Sequence, residues 1–184
     1  MSKMKQKELE NIPSIDLEEF LLRKISIDDY LDMYDYGKKD KITKTLFWNS
    51  YQKEEDALNS IKYVFLTRPS KGIPAAHAIV DKASNKMIGT CDIFRVDWDT
   101  LTGEIGYVLH DDYWGKGIMT KVCQAVINYG FEYIGLNKIE IAHEINNIGS
   151  KRVIEKCGFN FVTTKLHKER KQYISYYELY RFEN

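Results

Sequence analysis

The chain has no surplus of charge. Across 184 residues, 27 Lys plus Arg balance 27 Asp plus Glu. Proteins that track nucleic acid or anionic membranes carry a basic excess, so neither partner is expected, and only a local patch could supply such a footprint. Cysteine is scarce and odd in number: Cys91, Cys123 and Cys157, with no C-x-x-C spacing. That excludes a disulfide framework and a cysteine zinc site, and reads as buried thiols of a reducing cytoplasm, the expected location. The four histidines, His77, His110, His143 and His167, are scattered without metal-ligand spacing, so no metal site is expected. No apolar run reaches a membrane span, and the N-terminus has no apolar signal core. Internal repeats and low-complexity linkers are absent too.

What is present suits one soluble domain. Hydrophobic residues make up 43% of a chain long enough to build a substantial core. Residues 1–16 read as a flexible N-terminal tail and residues 17–184 as the domain.

The most informative stretch is Tyr113-Trp114-Gly115-Lys116-Gly117-Ile118-Met119-Thr120. It follows the alternating run Glu104–Leu109 and opens a run of helical period from Ile118 to Ile134. A glycine turn between strand and helix leaves main-chain N–H groups pointing out of the helix start, where the helix dipole is positive. Such a site suits a phosphate or pyrophosphate, and glycine lets a ligand approach the backbone. The spacing fits neither the nucleotide P-loop nor the dinucleotide fingerprint. Local chemistry therefore leaves two readings, an anion site or a plain tight turn.

In chain order, Phe20–Ile25 reads as the first strand. Ser26 before Asp28-Asp29 is an N-cap with acidic residues in the first turn of a helix ending at Gly37. A second helix is expected over Glu54–Leu66, broken by Arg68-Pro69. The loop around Trp48 offers either a substrate-facing surface or a cap on the core. Strands follow at Ala75–Val80, Lys86–Val96 and Glu104–Leu109. In the third, Ile105, Tyr107 and Leu109 share one face; Glu104, Gly106 and Val108 share the other. The helix after the glycine turn carries an apolar stripe of Ile118, Val122, Val126, Tyr129 and Tyr133, and Gly135 stops it. Then come strand Lys138–Ala142, helix Asn147–Cys157 and two aromatic closing strands, Phe159–Thr164 and Tyr173–Phe182. Strand–helix–strand from Glu104 to Ala142 predicts a parallel pair in an otherwise antiparallel sheet. The class is α/β: a mixed, mostly antiparallel sheet with helices on its faces.

In this order and spacing, four pieces resemble the GNAT superfamily of acyl-CoA-dependent N-acetyltransferases. They are Phe20–Lys24, Gly103–Leu109, Tyr113–Ile118, and Asn147–Ser150 with Ile154–Phe159. Within the superfamily, the ribosomal-protein serine/alanine N-acetyltransferase-like branch is the most similar. The resemblance spans about residues 17–182. It implies a single-domain fold with splayed parallel strands, and acetyl-CoA as co-substrate with no metal. Its pyrophosphate loop would run through Trp114, Gly115, Lys116, Gly117, Ile118, Met119 and Thr120. Trp114 stands where Gln or Arg is usual, and Met119 where Gly or Ala is usual. Met119 either narrows the loop or packs against the helix stripe, and the second is favoured because Met adapts to irregular space.

The resemblance places the pantetheine arm between the strands ending at Leu109 and Ala142, paired with the main chain of Val108 and Leu109. The Leu109 N–H would polarise the thioester carbonyl. Glu104 is the candidate base, against a plain strand-edge carboxylate. The family's helix tyrosine is replaced by Ile154. Ser150 takes its role near the departing thiolate, against a helix-capping serine. Asn147 would bond the pantetheine amide, or serve as an N-cap. The acceptor is an amine, with a protein N-terminus or a small molecule (polyamine, amino acid or drug) both open. A non-catalytic CoA-binding regulatory module is the third reading. The aromatic C-terminal strand is exposed enough to suggest a homodimer.

Overall fold

A computed structural model describes residues 3–169 and 171–181, with side chains from residue 6 onward. One eight-stranded sheet runs through the molecule in the order β1-β2-β3-β4-β5-β6-β8-β7. The strands are β1 (Ile15–Leu17), β2 (Phe20–Lys24), β3 (His77–Asp81), β4 (Lys86–Asp97), β5 (Thr102–Leu109), β6 (Lys138–Glu144), β7 (Asn160–His167) and β8 (Gln172–Tyr180). The pair β5–β6 is parallel, and the other neighbours are antiparallel. This is the mixed sheet that the strand–helix–strand spacing predicts.

Helices cover both faces. On one side lie α2 (Tyr30–Gly37), α3 (Asp40–Thr43) and α4 (Glu54–Ser60). Met33, Tyr36, Ala57 and Ile61 bury there against Ala78, Val80 and Met87. On the other side α5 (Ile118–Asn128) and α6 (Ile148–Lys156) cover the sheet centre. Val122, Cys123, Val126 and Ile154 pack there against Cys91, Ile93, Ile105, Ile139 and Ile141. Alternation along β5 feeds both cores, since Ile105 and Leu109 enter the α5–α6 core while Val108 packs on the other. Among the described residues, no helix is long and apolar enough to cross a membrane.

Several helix ends obey local rules. Ser26 accepts from the Asp28 N–H, and Asp29 closes the capping box from the other side before α2 begins. Gly135 and Gly158 end their helical segments in the left-handed region, at φ 80° and 83°. Two expected helices are shorter than their sequence pattern. After Ser60 and after Asn128 the chain winds into wide π-type turns, Ile61–Phe65 and Tyr129–Ile134. Each residue of a wide turn advances by a smaller angle, so the helical phase slips. Tyr133, expected on the buried stripe, is therefore 55% exposed and stacks on Tyr129 at 5.4 Å.

At the N-terminus, where the sequence suggests a tail, residues 3–10 form α1. Leu9 and Ile12 are buried, the Leu9 carbonyl accepts from the Ala75 N–H, and the Pro13 carbonyl meets His77 Nε2 at 3.0 Å. The apolar spacing of Leu9 and Ile12 is the sequence signal for this contact, and it is short.

Candidate active site

The pairing of β5 with β6 lasts for three residues, Thr102–Lys138, Gly103–Ile139 and Glu104–Glu140. β5 continues to Leu109 along β4, and β6 continues to Glu144 along β8. Beyond residues 104 and 140 the two parallel strands therefore part, and a wedge opens between them. The direction of the backbone groups follows from the ladder. The His110 N–H donates to the Ile88 carbonyl at 2.7 Å, so residue 110 faces β4. Antiparallel alternation then turns the Val108 groups toward β4 as well, and the Tyr107 and Leu109 groups toward the wedge. Of the two residues expected to offer main chain to a ligand, Leu109 faces the opening. Val108 is engaged with its neighbour Thr90, and Tyr107 supplies the second open-edge position.

The glycine turn lies at the mouth of the wedge. Gly115 and Gly117 both have φ +76°, and a Cβ on either would meet nothing within 4 Å. The strain there belongs to the backbone, and the space in front of it is open. Gly117 begins α5 without any side-chain cap, so the first-turn N–H groups point outward with the dipole behind them. Ile118 and Met119 turn inward and are each 6% exposed within the α5–α6 core. Met119 thus packs against the helix stripe and leaves the loop clear.

Trp114 does not reach outward as a cation would. Its indole N–H donates to the Leu109 carbonyl at 2.8 Å, pinning the loop to the end of β5. Lys41 lies 5.2 Å from the Trp114 ring centre, and Lys116 lies at the same distance from the Tyr113 ring. Both lysines are exposed and carry charge beside the loop. Thr120 is half-buried in the first turn of α5. The sequence reading missed a polar cluster beside the loop. Lys39 Nζ lies 2.8 Å from Asp111 Oδ1 and 3.0 Å from His110 Nε2, which ties the end of α2 to the end of β5. These residues are about seventy apart in sequence, and no local pattern links them.

Glu104 stands where the wedge closes. A cleft of about 460 Å³ opens there, lined by Arg95, Asp97, Gly103, Glu104, Glu140 and Tyr180 among others. Glu104 Oε2 pairs with Arg95 Nη1 at 3.0 Å; the carboxylate side chain is 22% exposed and the arginine 74%. Burial raises the Glu104 pKa, Arg95 opposes the rise, and the Glu140 charge adds to it. Gly106, on the same face, does not leave room for substrate: a Cβ there would meet the Phe94 ring at 3.0 Å.

Ser150 and Asn147 lie at the start of α6. Asn147 Oδ1 accepts from the Ser150 N–H at 3.0 Å, and its Nδ2 donates to Thr45 Oγ1 at 2.9 Å. Asn147 is therefore an N-cap that also holds the 44–53 loop. Ser150 Oγ is 2.9 Å from the Tyr107 hydroxyl. In that loop Trp48 stacks on Tyr51 at 4.8 Å, while Phe47 is 59% exposed. Among the described residues, the one group of potential metal ligands is His110, Asp111 and Asp112. Lys39 and Lys41 pair with Asp111, and the main-chain N–H of Asp112 donates to His110 Nδ1.

The fold recurs in known proteins. Residues 19–160 match the Acetyltransferase (GNAT) domain family. An uncharacterized N-acetyltransferase, p20 of Bacillus licheniformis, is 28% identical over 142 residues, covering 77% of this chain and 79% of that one. RimL, a ribosomal L7/L12 alpha-N-protein acetyltransferase solved with coenzyme A, superposes with a TM-score of 0.80 at 18% identity, over 91% of this chain and 98% of the other. The ribosomal-protein-S5-alanine acetyltransferase of Vibrio fischeri superposes with a TM-score of 0.76 at 19% identity, over 92% and 97%. On the family match and the fold together, this chain belongs to the GNAT acetyltransferases, enzymes that carry an acetyl group from acetyl-CoA to an amine.

Proposed function

We propose that the acceptor is a protein N-terminal α-amine, that Glu104 is the base, and that Ser150 serves the leaving thiolate. The observation that carries this reading is the placement of Glu104, a half-buried carboxylate of raised pKa in an open cleft where the wedge closes. An ammonium has no lone pair, so a proton must leave before attack. An α-amine, with a pKa of about 7.7–8.0, gives it up far more readily than a lysine at about 10.4. A carboxyl raised above its usual range is a better match for the first than for the second. RimL, which shares the fold, is named for acting on an α-amine.

The residues present fit acetyl-CoA. The open glycine turn and the uncapped start of α5 suit a pyrophosphate, and the Leu109 N–H faces the wedge where the thioester arm would lie. Acetyl-CoA supplies an activated acyl carbon and a thiolate leaving group. Lys116 and Lys41 add positive charge near the anionic end, and Trp114 keeps the loop in place. Asn147 sets the first turn of α6 beside the wedge through its own cap, and so bears on the arm indirectly.

One feature favours a small polyamine as second reading: Asp97, Glu104 and Glu140 share a single cleft. Lys138 offsets it, bonding Glu140 at 2.6 Å. A homodimer belongs to the same proposal, on a different edge from the one expected: the C-terminal strand β8 is paired on both sides, and β7 ends the sheet with Phe161, Val162 and Leu166 half or more exposed. The free thiols Cys91, Cys123 and Cys157 fit a reducing cytoplasm.

The test is thiol release from acetyl-CoA with three acceptors: a peptide with a free N-terminal serine, the same peptide blocked but carrying lysine, and spermidine. Turnover of the free peptide alone supports the proposal. Turnover of spermidine alone moves the acceptor to polyamines, and tight CoA binding without turnover makes the chain a regulatory module. Light scattering that gives a monomer at micromolar concentration removes the dimer.

A further inference from the structure

The Tyr107 and Ser150 hydroxyls meet at 2.9 Å across 43 residues of sequence, joining the parted end of β5 to the first turn of α6. We propose that Tyr107 is a positioning residue for acetyl transfer: its O–H donates to Ser150 Oγ and so turns the serine hydrogen toward the sulfur that leaves. The inference rests on the role given to Ser150 above.

A serine hydroxyl has one hydrogen and two acceptor sites. In the first turn of a helix it is free to rotate and commonly bonds to nearby backbone. Here its surroundings restrict it. The Ser150 N–H is held by Asn147 Oδ1, and Asn147 is held in turn by Thr45. The Tyr107 hydroxyl lies against Ser150 from the strand side: it donates toward the Ser150 carbonyl at 3.2 Å and stands 2.9 Å from Oγ, where either oxygen can be the donor. Tyrosine's one hydrogen has the carbonyl and Oγ within reach; in the proposed role it goes to Oγ once thiolate charge draws the serine hydrogen to the open side.

Tyr107 keeps its proton and so stays able to donate. Burial pushes its phenol far above the ordinary range, the Ser150 bond works against the rise, and the thiols of Cys123, Cys91 and Cys157 add to it. A phenolate would take the serine hydrogen instead of giving one, and this setting excludes it at working pH. Nor does the arrangement need to carry net charge. In the transfer the amine nitrogen bonds the acetyl carbon, the carbon–sulfur bond breaks, and its electron pair goes to sulfur. The amine proton leaves through Glu104 or water to solvent, and the thiolate is protonated from solvent. Tyr107 and Ser150 supply a hydrogen bond while charge grows on sulfur, and both end with the protons they began with.

A double-mutant cycle tests this with Tyr107→Phe, Ser150→Ala and the pair in the full chain. The readouts are kcat on the free-serine peptide at saturating acetyl-CoA, and the pH titration of the thiol of bound CoA, followed by thiolate absorbance against a CoA-free blank. Each single change should lower kcat roughly 10- to 100-fold, the worth of one hydrogen bond to a charged atom. The double variant should be no worse than Ser150→Ala alone. Bound thiol should titrate at higher pH in both single variants, and no higher in the double. Ser150→Thr keeps a hydroxyl and should keep the wild-type titration. A Tyr107→Phe loss that multiplies the Ser150→Ala loss marks a packing role and overturns the inference, as does an unchanged titration in Tyr107→Phe. Should the wild type bind CoA yet ignore the peptide, the acceptor proposal falls and the titration still decides Tyr107. Failure to bind CoA removes both.

Discussion

Glu104 and Tyr107 stand three positions apart on β5 and so project from opposite faces of the sheet. Glu104 enters the cleft with Arg95 and Glu140, while Tyr107 reaches Ser150 under α6. A strand is thin enough that one face can receive the amine while the other attends to the sulfur. The two proton-handling ends of the proposed reaction are thus kept apart by one strand, whose Leu109 N–H faces the wedge.

For the base, Glu104→Gln should lower kcat/KM by roughly 10²- to 10⁴-fold, the usual worth of a positioned base. In the wild type the rate should rise with pH through a step above the normal carboxylate range, because burial raises this pKa. Arg95 holds the rise in check, so Arg95→Ala should move that step to higher pH. A pH–rate profile of kcat/KM reads both effects, and a step that stays put in Arg95→Ala would sink the assignment of the step to Glu104.

Two left-handed glycines separate strain from binding. Gly117 and Gly135 have φ of 76° and 80°, and neither has an atom within 4 Å of a Cβ position. Alanine at either should cost a similar stability, about 1–2 kcal/mol, by denaturant titration. Gly117→Glu should in addition abolish CoA binding by calorimetry, while Gly135→Glu should leave it near wild type. Equal CoA affinities in the two glutamate variants would show that the turn is not the pyrophosphate site.

His77 makes stability fall in weak acid. It has no exposed surface, and among the described residues its Nδ1 is the buried side-chain atom without a hydrogen-bond partner. Burial lowers its pKa, against the bond to Pro13 and the charge of Asp92. The unfolded chain takes up a proton near pH 6.5 while the fold resists it, so stability present above that pH declines as pH drops toward the folded value. The slope from this one group reaches at most about 1.4 kcal/mol per pH unit. Urea midpoints between pH 7.5 and 5 should slope less in His77→Phe, and an equal slope would place the acid sensitivity elsewhere.

Beside His77, Arg68 Nη1 and Asp92 Oδ1 form an ion pair at 2.6 Å, with side chains 11% and 4% exposed. Asp92→Ala strands a buried guanidinium and should cost about 3–5 kcal/mol. Asp92→Leu with Arg68→Met should recover most of that in urea unfolding. A double variant as unstable as Asp92→Ala would mean that the pair itself, and not the isolated charge, sets the loss.

Much of this was legible in the sequence because it is local. A strand running into a glycine turn and a helix, a capping serine at 26, and glycine stops at 135 and 158 all declare themselves within a few residues. The parallel pair followed from the connection between its strands. What sequence could not show joins distant segments: Tyr107 to Ser150, Lys39 to His110, Asn147 to Thr45, Leu9 to Ala75. Each depends on how far two elements lie apart once packed, which no periodicity carries. Tyr133 failed for another reason, since a wide turn changes the angular step on which the stripe was extrapolated. The direction in which the Val108 backbone groups face was not legible either, because the alternation along β5 was not fixed until the His110 bond was known.

The short β5–β6 contact also has a mechanical meaning. It divides the sheet into a block of five strands and a block of three, joined along their shared border by three residue pairs. A sheet is stiff along its ladders, so this border is where the fewest strand-to-strand bonds resist opening, and the helices packed over it add restraint. A guest that hydrogen-bonds to both walls acts as a splint. Stiffness across the border then becomes a direct reading of whether the site is filled.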